Sequence, residues 1–206
     1  MATEPIRLSP VQARRKAVLL VAILAVLALL AVSRSAFHGE ALHRAIQWIG
    51  GALILICIVG RCWCSLYIGG RKINTLTRTG PYSISRNPLY VFSFIGAAGA
   101  MAQSGSLVLT AAGAFICWLV FRLVVRKEER LLTSIYGEVY QAYLHEVPRF
   151  WPRFSQWRNV ETLEILPRRV AMTLYDGLTF LLAIPLALAF EAAQDRGVVP
   201  VLLTLP

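Results

Sequence analysis

Long blocks of Ala, Leu, Ile and Val dominate this chain and restrict it to folds that can enter a lipid bilayer. Apolar residues make up 57% of its 206 residues and charged residues only 16%, whereas soluble domains carry about 25% charged residues. Inside a bilayer the backbone must satisfy its own hydrogen bonds, which apolar helices of about 20 residues achieve. The sequence therefore predicts an all-α, polytopic membrane protein that forms a single domain over residues 1–206.

Five apolar blocks predict about five transmembrane helices. The first follows Arg14, Arg15 and Lys16 and lacks a small-residue cleavage site, so we interpret it as an uncleaved span rather than a signal peptide. In the fifth block, Pro185 predicts a kink because proline cannot donate the helical hydrogen bond. The predicted spans are residues 17–32, 45–69, 88–103, 106–126 and 170–190.

The lysines and arginines predict the orientation of these spans. With the N-terminus in the cytoplasm, only Arg34, Arg44 and Arg196 fall on the far side, and the other 18 of the 21 basic residues fall on or near the cytoplasmic side. The net charge of +10 is then explained by topology and by anionic lipid. Nucleic acid is not predicted as a partner, because its binding usually needs a basic face on a soluble fold. The loop of residues 70–87 and residues 127–169 are predicted to share the cytoplasmic side.

The third block is short and begins with a helix-start signal. Its 16 residues would extend only about 24 Å, less than the roughly 30 Å hydrocarbon core. Asn87 suits the N-cap, and Pro88 suits the first helical position. The unpaired N–H groups of this helix start are predicted to point into the loop of residues 70–87 and to favour an anion.

Two adjacent carboxylates, Glu128 and Glu129, follow the fourth block. The residues that would share a helical face with Glu129 are Leu132, Tyr136, Tyr140 and Tyr143. Gly137 is costly inside a helix and can break this face. An amphipathic interfacial helix with its charges in water would produce the same pattern, and the two carboxylates could also be ion-pair partners for nearby bases.

Several polar and aromatic motifs follow one another between residues 70 and 154. They are Gly80-Pro81-Tyr82, Arg86-Asn87-Pro88-Leu89-Tyr90, Glu128-Glu129, Tyr136-Gly137 and Val147-Pro148-Arg149-Phe150-Trp151-Pro152. In this order they resemble the isoprenylcysteine carboxyl methyltransferase and phospholipid methyltransferase superfamily of integral membrane enzymes. The residues outside this region match only as generic membrane spans.

Two positions depart from the pattern of the carboxyl methyltransferases. Asn87 stands where they have His, and Phe92 stands where they have Gly. An Asn-Pro-x-Tyr version is familiar from phosphatidylethanolamine N-methyltransferases, so Asn87 weakens the expectation of carboxyl methylation more than that of methyl transfer. A Gly at position 92 would allow close backbone approach, so Phe92 changes the expected shape of the pocket.

The resemblance implies an S-adenosylmethionine-dependent methyltransferase whose acceptor is lipid-like or a hydrophobic small molecule, methylated on a carboxylate, amine or thiol. The residue types fit this cofactor: Arg86 and the helix start at Asn87 suit its carboxylate, and Glu128 or Glu129 suits its ammonium. Aromatic faces for the sulfonium or the adenine are available from Tyr82, Tyr90 and Tyr140. Arg86 and Glu129 are the predicted catalytic residues.

The other chemistry-bearing residues do not predict a metal site. The four cysteines lack ligand-type spacing and are interpreted as small buried residues; they are Cys57, Cys62, Cys64 and Cys117. His38 and His43 fall in the predicted far-side loop and His145 in the interfacial segment, with no recognisable triad. Gly96 and Gly99 lie inside an apolar span and predict close helix contact. Arg122 and Asp176, near the cytoplasmic ends of two spans, predict either a mutual ion pair or a substrate contact.

Two alternatives to a methyltransferase stay open at the level of sequence. One is an NADPH-dependent membrane reductase, because sterol reductases have a related Arg-His-x-x-Tyr segment and a similar basic-aromatic tail. Its cofactor would need further cationic contacts for the ribose phosphate, which the short loops hardly provide. The other is a non-catalytic membrane scaffold that has kept the fold and lost the site. Cofactor binding would separate the three, and the sequence carries no signal for an oligomeric state.

Overall fold

Helices dominate the part of the chain that the structure describes. The computed structural model describes residues 26–68 and 76–206. In chain order the helices are α1 (Ala41–Ile68), α2 (Pro81–Ile84), α3 (Pro88–Ala102), α4 (Leu107–Tyr136), α5 (Glu138–Glu146), α6 (Pro167–Leu178) and α7 (Ala183–Asp195). Residues 26–32 are also helical, and two 3-10 turns cover Phe154–Gln156 and Thr179–Leu182. The all-α membrane fold is confirmed, while residues 17–25 of the predicted first span lie outside the described residues.

The lengths of the helices set the depth of their ends in a membrane. Among the described residues, three stretches are long and apolar enough to cross it, and they are Ala41–Ile68, Leu107–Tyr136 and Pro167–Asp195. The 30 residues of α4 extend about 45 Å, so this helix carries Glu128 and Glu129 beyond the roughly 30 Å hydrocarbon core. The 15 residues of α3 extend only about 22 Å, which places at least one of its ends below the membrane surface.

Helices α1 and α3 pack closely because glycines face each other. A Cβ added to Gly99 would lie 2.6 Å from the carbonyl oxygen of Gly50, and one on Gly96 would overlap the side chain of Cys57. Close backbone approach through small residues is a common way for helices to associate in lipid. The predicted helix contact through Gly96 and Gly99 is therefore confirmed.

Phe92 occupies space that a glycine on the facing helix leaves open. A Cβ on Gly60 of α1 would overlap the Phe92 ring, and the Trp63 ring meets Phe92 edge-to-face with their centroids 6.3 Å apart. The missing side chain at position 60 thus accommodates the large side chain at position 92. Phe92, which replaces the glycine of the carboxyl methyltransferases, therefore fits between α1 and α3 because position 60 has no side chain.

Gly137 separates α4 from α5. Its φ of 57° lies in the left-handed region that glycine adopts without a Cβ clash. Glu129 therefore lies on a different helix from Tyr140 and Tyr143. The sequence had indicated that Gly137 could interrupt the helix in this way. Both tyrosines still become buried, in a cluster with Val147.

The loop before α3 meets the segment that follows α4, as predicted. The Gly80 N–H donates to the Arg158 carbonyl at 2.7 Å, and the Arg86 N–H donates to the Pro148 carbonyl at 2.9 Å. These bonds bring the described part of the 70–87 loop and the 127–169 segment to the same end of the bundle. All the predicted site residues lie in these two segments or in the adjoining turns of α3 and α4.

Two features near the C-terminus complete the fold. The 3-10 turn Thr179–Leu182 lies just before Pro185, which cannot donate to the carbonyl of Leu181 and so breaks the regular helix there. A two-stranded parallel sheet pairs Ser33–Ser35 (β1) with Leu203–Leu205 (β2). The sequence did not predict this sheet, because three-residue strands carry too little periodicity to be recognised.

Arg122 and Asp176 do not pair with each other among the described residues. The Arg122 guanidinium lies over the ring of Trp118, one turn earlier on α4, at 5.1 Å from its centroid. Asp176 is exposed on α6. A cation–π contact on its own helix replaces the ion pair that the sequence offered as one of two interpretations.

Candidate functional site

Three segments of the motif region meet at the carboxylate of Glu129. Arg86 precedes α3, Glu129 lies in α4, and Arg149 follows α5. Arg86 Nε and Nη2 each lie 3.0 Å from Glu129 Oε1, and Arg149 Nε and Nη2 lie 2.9 and 2.6 Å from Oε2. Each oxygen of the carboxylate thus receives one guanidinium. We refer to these three residues as the arginine–glutamate cluster.

Most of the arginine–glutamate cluster is buried. The side chains of Arg86 and Glu129 are 8% and 7% exposed, whereas that of Arg149 is 36% exposed. Arg86 Nη1 also donates to the carbonyls of Leu144 and Val147, at 2.5 and 2.7 Å. Buried charges need such partners, because their desolvation costs several kcal/mol. Arg86 therefore ties the start of α3 to α4 and to the end of α5.

Asn87 and Pro88 open α3 as predicted. Asn87 is the N-cap and Pro88 lies in the first turn, but the Asn87 side chain makes no cap hydrogen bond. Its Nδ2 lies 3.2 Å from the Arg149 carbonyl oxygen and 3.4 Å from Glu129 Oε1. The amide is thus directed into the arginine–glutamate cluster instead of across the helix terminus.

Glu128 has different surroundings from its neighbour Glu129. It lies on an exposed face of α4, where its Oε2 accepts a hydrogen bond from the Tyr90 hydroxyl at 2.8 Å. The Tyr90 ring packs edge-to-face on Phe121, with the centroids 5.4 Å apart. Glu129 is saturated by two guanidinium groups, whereas Glu128 faces outward and remains accessible to a further cation.

Buried tyrosines lie beside the arginine–glutamate cluster. The Tyr143 hydroxyl donates to the Tyr82 carbonyl at 2.7 Å, and the Tyr140 and Tyr143 rings lie 5.8 Å apart. Burial, with a smaller contribution from the charge of Glu129, raises the pKa of Tyr140 to about 12. Burial likewise raises the pKa of Tyr82 well above its ordinary value. These hydroxyls therefore stay protonated at neutral pH.

The Tyr82 hydroxyl is a buried donor in need of a partner. It makes no hydrogen bond among the described residues, although the side chain is only 6% exposed. Leaving such a group unsatisfied costs about 1–3 kcal/mol, and an unmade bond in a native structure calls for an explanation. A polar atom of a bound ligand would satisfy it.

A small apolar pocket adjoins the start of α3. Its volume is about 90 Å³, and its lining includes Trp63, Pro88, Phe92, Phe150 and Phe154. The Phe154 side chain is 72% exposed, so the pocket reaches the surface of the bundle. It offers a place for apolar groups next to the charged site.

The structure brings together only part of the predicted site. Arg86, Asn87 and Glu129 meet in one cluster, and Tyr90 pairs with Glu128 beside it. Tyr82 packs in a separate hydrophobic cluster with Cys64 and Tyr67 of α1, and Tyr140 lies in the cluster with Tyr143 and Val147. Arg149 is a site residue that was not predicted from the sequence, although its place in the Val147-Pro148-Arg149 motif was a signal for it.

The chain has recognisable similarity to several known proteins. Residues 46–139 match the model of the phospholipid methyltransferase family. The chain is 35% identical to the cobalt-zinc-cadmium resistance protein CzcN of Cupriavidus metallidurans over 180 residues, which are 87% of this chain and 83% of that protein. It is 36% identical to the nickel-cobalt-cadmium resistance protein NccN of Alcaligenes xylosoxydans xylosoxydans over 166 residues, 77% and 78% of the two chains.

One further relative carries the name of an enzyme. The protein-S-isoprenylcysteine O-methyltransferase of Schizosaccharomyces pombe is 34% identical over 77 residues, which are 37% of this chain and 33% of that protein. No solved structure matches the chain significantly.

Proposed function

The chain belongs to the superfamily of phospholipid and isoprenylcysteine methyltransferases, and we propose that it transfers a methyl group from S-adenosylmethionine to a lipophilic acceptor in the membrane. The observation that carries this proposal is the meeting of three motif segments at Glu129, at the end of apolar helices. The matched residues 46–139 include two of the three members of this arginine–glutamate cluster. Its third member, Arg149, lies just beyond them.

The burial of each charged group suggests its role toward the cofactor. Arg86 and Glu129 are already paired with each other, so we assign them to positioning the start of α3. Glu128 is exposed and, in the part of the chain that the structure describes, binds only the Tyr90 hydroxyl. It is the carboxylate proposed for the cofactor ammonium. Arg149 also pairs with Glu129, through Nε and Nη2, but its side chain is 36% exposed. We therefore propose that the exposed part of this guanidinium binds the cofactor carboxylate together with the Leu89 N–H at the start of α3. These assignments revise the sequence-based roles of Arg86 and Glu129.

The residues present fit the chemistry of this cofactor. The unpartnered Tyr82 hydroxyl offers a donor, and the half-buried ring of Tyr90 offers a π face to a sulfonium cation. The cofactor supplies an already activated methyl group, so the chain has to orient the acceptor and exclude water. An amine acceptor would also need a base to remove a proton, whereas a carboxylate or thiolate would not.

We infer that the acceptor enters sideways from the bilayer. The shortness of α3 supports this, because it places a helix end below the membrane surface. The apolar pocket beside Pro88 can hold part of a lipid tail while the reacting group stays near Glu128. We further propose that the N-terminus and the motif region face the cytoplasm, as the distribution of the 21 basic residues suggests.

A labelling experiment tests the proposed reaction. The purified protein is incubated with membrane lipid extract and methyl-labelled S-adenosylmethionine, and labelled products are identified by mass spectrometry. We expect label in a lipophilic product with wild-type protein and at least tenfold less with Glu128→Gln. Calorimetric titration of NADPH is run in parallel. Binding of NADPH without S-adenosylmethionine would favour a reductase, and binding of neither by folded protein would favour a scaffold.

The names of two relatives suggest the process that this reaction serves. Both are called metal-resistance proteins, and each aligns over more than three quarters of its own length. We propose that methylation by this chain contributes to tolerance of divalent heavy metals. A strain that lacks the chain should lose tolerance to cobalt, nickel, zinc or cadmium and regain it with the wild-type gene. If the Glu128→Gln gene restored metal tolerance fully, tolerance would not depend on methyl transfer.

A further inference from the structure

Two histidines and a glutamate meet at the end of the bundle opposite the motif region. His43 lies in the first turn of α1, His38 in the turn before it, and Glu191 in α7. One ligand atom from each residue can be chosen so that all three lie within 4.8 Å of one another. Tyr67, which packs on Tyr82, lies at the other end of α1, a helix of 28 residues and about 42 Å. The cluster is therefore remote from the arginine–glutamate cluster.

Neighbouring side chains hold this cluster in place. His43 Nε2 lies 3.0 Å from Glu191 Oε1, and Gln47 Nε2 donates to the same oxygen at 2.8 Å. The rings of His38 and His43 meet edge-to-face with centroids 5.3 Å apart, and His38 Nε2 lies 3.5 Å from Asp195 Oδ1. Outer partners of this kind fix the orientation of metal ligands in known sites.

The cluster contains buried polar atoms that lack partners. His43 is only 4% exposed, and the Nδ1 atoms of both His38 and His43 have no hydrogen-bond partner among the described residues. Both side-chain hydrogen bonds found at Glu191 use Oε1, so Oε2 remains open to ligation. An arrangement of two imidazoles and a carboxylate that is incompletely satisfied by protein calls for a further partner.

The charges around the cluster favour a cation as that partner. Glu191 and Asp195 are the nearby carboxylates, and Arg34 pairs with Asp195. These two carboxylates and one guanidinium together carry one net negative charge. An apolar cavity of about 510 Å³ reaches the cluster, with walls that include Leu30, Met101 and Phe190. Apolar walls lower the local dielectric constant, which strengthens the attraction between a carboxylate and a cation.

We propose that His38, His43 and Glu191 bind a divalent transition-metal cation of the Zn²⁺, Co²⁺ or Ni²⁺ type. Two imidazole nitrogens and one carboxylate oxygen form a donor set that suits these ions, with water completing the coordination. Ligands at about 2.0–2.2 Å from a tetrahedral ion lie about 3.4 Å apart, so small side-chain rotations bring the three atoms into range. The ion replaces the hydrogen bond between His43 Nε2 and Glu191 Oε1, while Gln47 keeps its bond to the carboxylate.

Metal binding by the purified full-length chain, carrying no histidine tag, tests this proposal. Co²⁺ is titrated into the detergent-solubilised protein, and binding is followed by calorimetry and by visible absorption. We expect one Co²⁺ per chain, displaced by Zn²⁺, and a rise in the unfolding temperature on binding. His38→Ala and Glu191→Gln should each weaken Co²⁺ binding at least tenfold. His38 lies in a turn with its side chain 26% exposed, so its removal is expected to leave the fold intact.

Matched controls identify the ligands. His145→Ala removes an exposed histidine of α5, and Glu40→Gln removes an exposed carboxylate next to α1; neither should change Co²⁺ binding. Absence of saturable Co²⁺ binding by folded wild-type protein would overturn the proposal. Equally tight binding by folded His38→Ala and Glu191→Gln would also overturn it and would assign the ion to other groups, such as the four cysteines. The measurement does not depend on methyl transfer.

Discussion

At the scale of single residues, Glu128 and Glu129 show how two neighbours of identical chemistry acquire different surroundings. Successive helical residues point in directions about 100° apart, so one carboxylate faces the packed end of the bundle while the other faces outward. Glu129 receives Arg86 and Arg149, with N–O distances of 2.6–3.0 Å. Among the described residues, Glu128 receives only the Tyr90 hydroxyl. We therefore expect substitution of Glu129 to lower stability and substitution of Glu128 to weaken ligand binding.

Replacing Glu129 is expected to destabilise the protein. Glu129→Gln leaves the guanidinium of Arg86 buried without its counter-charge, and breaking a buried pair from one side costs about 3–5 kcal/mol. The unfolding temperature in detergent should fall clearly below that of the wild type. The control is Glu138→Gln, which removes an exposed carboxylate at the start of α5 and should leave it within a degree or two of the wild type. An unchanged unfolding temperature for Glu129→Gln would contradict a buried structural pair.

Replacing Glu128 is expected to weaken the cofactor without unfolding the bundle. Glu128→Gln keeps an acceptor for the Tyr90 hydroxyl but removes the charge proposed for the cofactor ammonium. Calorimetry should show S-adenosylmethionine binding at least about tenfold weaker, equivalent to roughly 1.4 kcal/mol, at an unchanged unfolding temperature. Arg44→Ala, an exposed change at the opposite end of the bundle, serves as the control and should not alter binding. Wild-type affinity in Glu128→Gln would remove this residue from the site.

At the scale of helices, the contact between α1 and α3 depends on glycines that admit neighbouring groups. Gly60 receives the Phe92 ring, and Gly99 lies against the Gly50 carbonyl. Interiors packed at this density accept an added methyl group only by moving their neighbours. Arg86 and Asn87, which contact Glu129, lie at the start of α3. A shift of this helix would therefore move them within the arginine–glutamate cluster.

Substitution by alanine should change the stability of the protein in opposite directions at two glycines of α1. Gly60→Ala forces the Phe92 ring to move, and overpacking of this kind costs about 1–3 kcal/mol. Gly51→Ala meets no atom within 4 Å and should gain up to about 1 kcal/mol from the better helix propensity of alanine. Unfolding temperatures in one detergent provide the comparison. Equal or higher stability for Gly60→Ala would mean that Phe92 adjusts without strain.

At the scale of the whole molecule, the two polar sites lie at opposite ends of helices long enough to cross a membrane. The arginine–glutamate cluster is at one end of α1, and His38, His43 and Glu191 are at the other. If the chain spans a bilayer as its helices indicate, one site faces the cytoplasm and the other faces the opposite compartment. In the orientation proposed from the distribution of basic residues, the arginine–glutamate cluster would be the site on the cytoplasmic side.

Cysteine labelling in sealed vesicles checks this orientation. Gln141→Cys on α5 and Glu40→Cys before α1 both introduce thiols at exposed positions. A membrane-impermeant maleimide should reach position 141 only from the cytoplasmic side and position 40 only from the opposite side. The unsubstituted chain, with its four native cysteines, gives the background. Labelling of both positions from one side would contradict the proposed crossing by α1, and a reversed pattern would invert the orientation.

The sequence by itself determined the features that depend on local pattern. Apolar blocks indicated the membrane helices, Asn87 and Pro88 indicated the start of α3, and Gly137 indicated where α4 ends. These features follow from backbone sterics and hydrogen bonding within a few residues, so the residue types there are sufficient to predict them. The order of motifs between residues 70 and 154 likewise identified the family.

Only the tertiary structure decided which side chains share a partner. The sequence placed Arg86 and Glu129 in one site but did not pair them with each other, because both also suited a charged ligand. Contacts between residues 148 positions apart, as between His43 and Glu191, depend on how whole helices pack. Each helix presents its polar groups in fixed directions, but the packing of apolar faces sets which groups meet. For that reason the meeting of His38, His43 and Glu191 and the different surroundings of the two adjacent glutamates were decided by the assembled bundle.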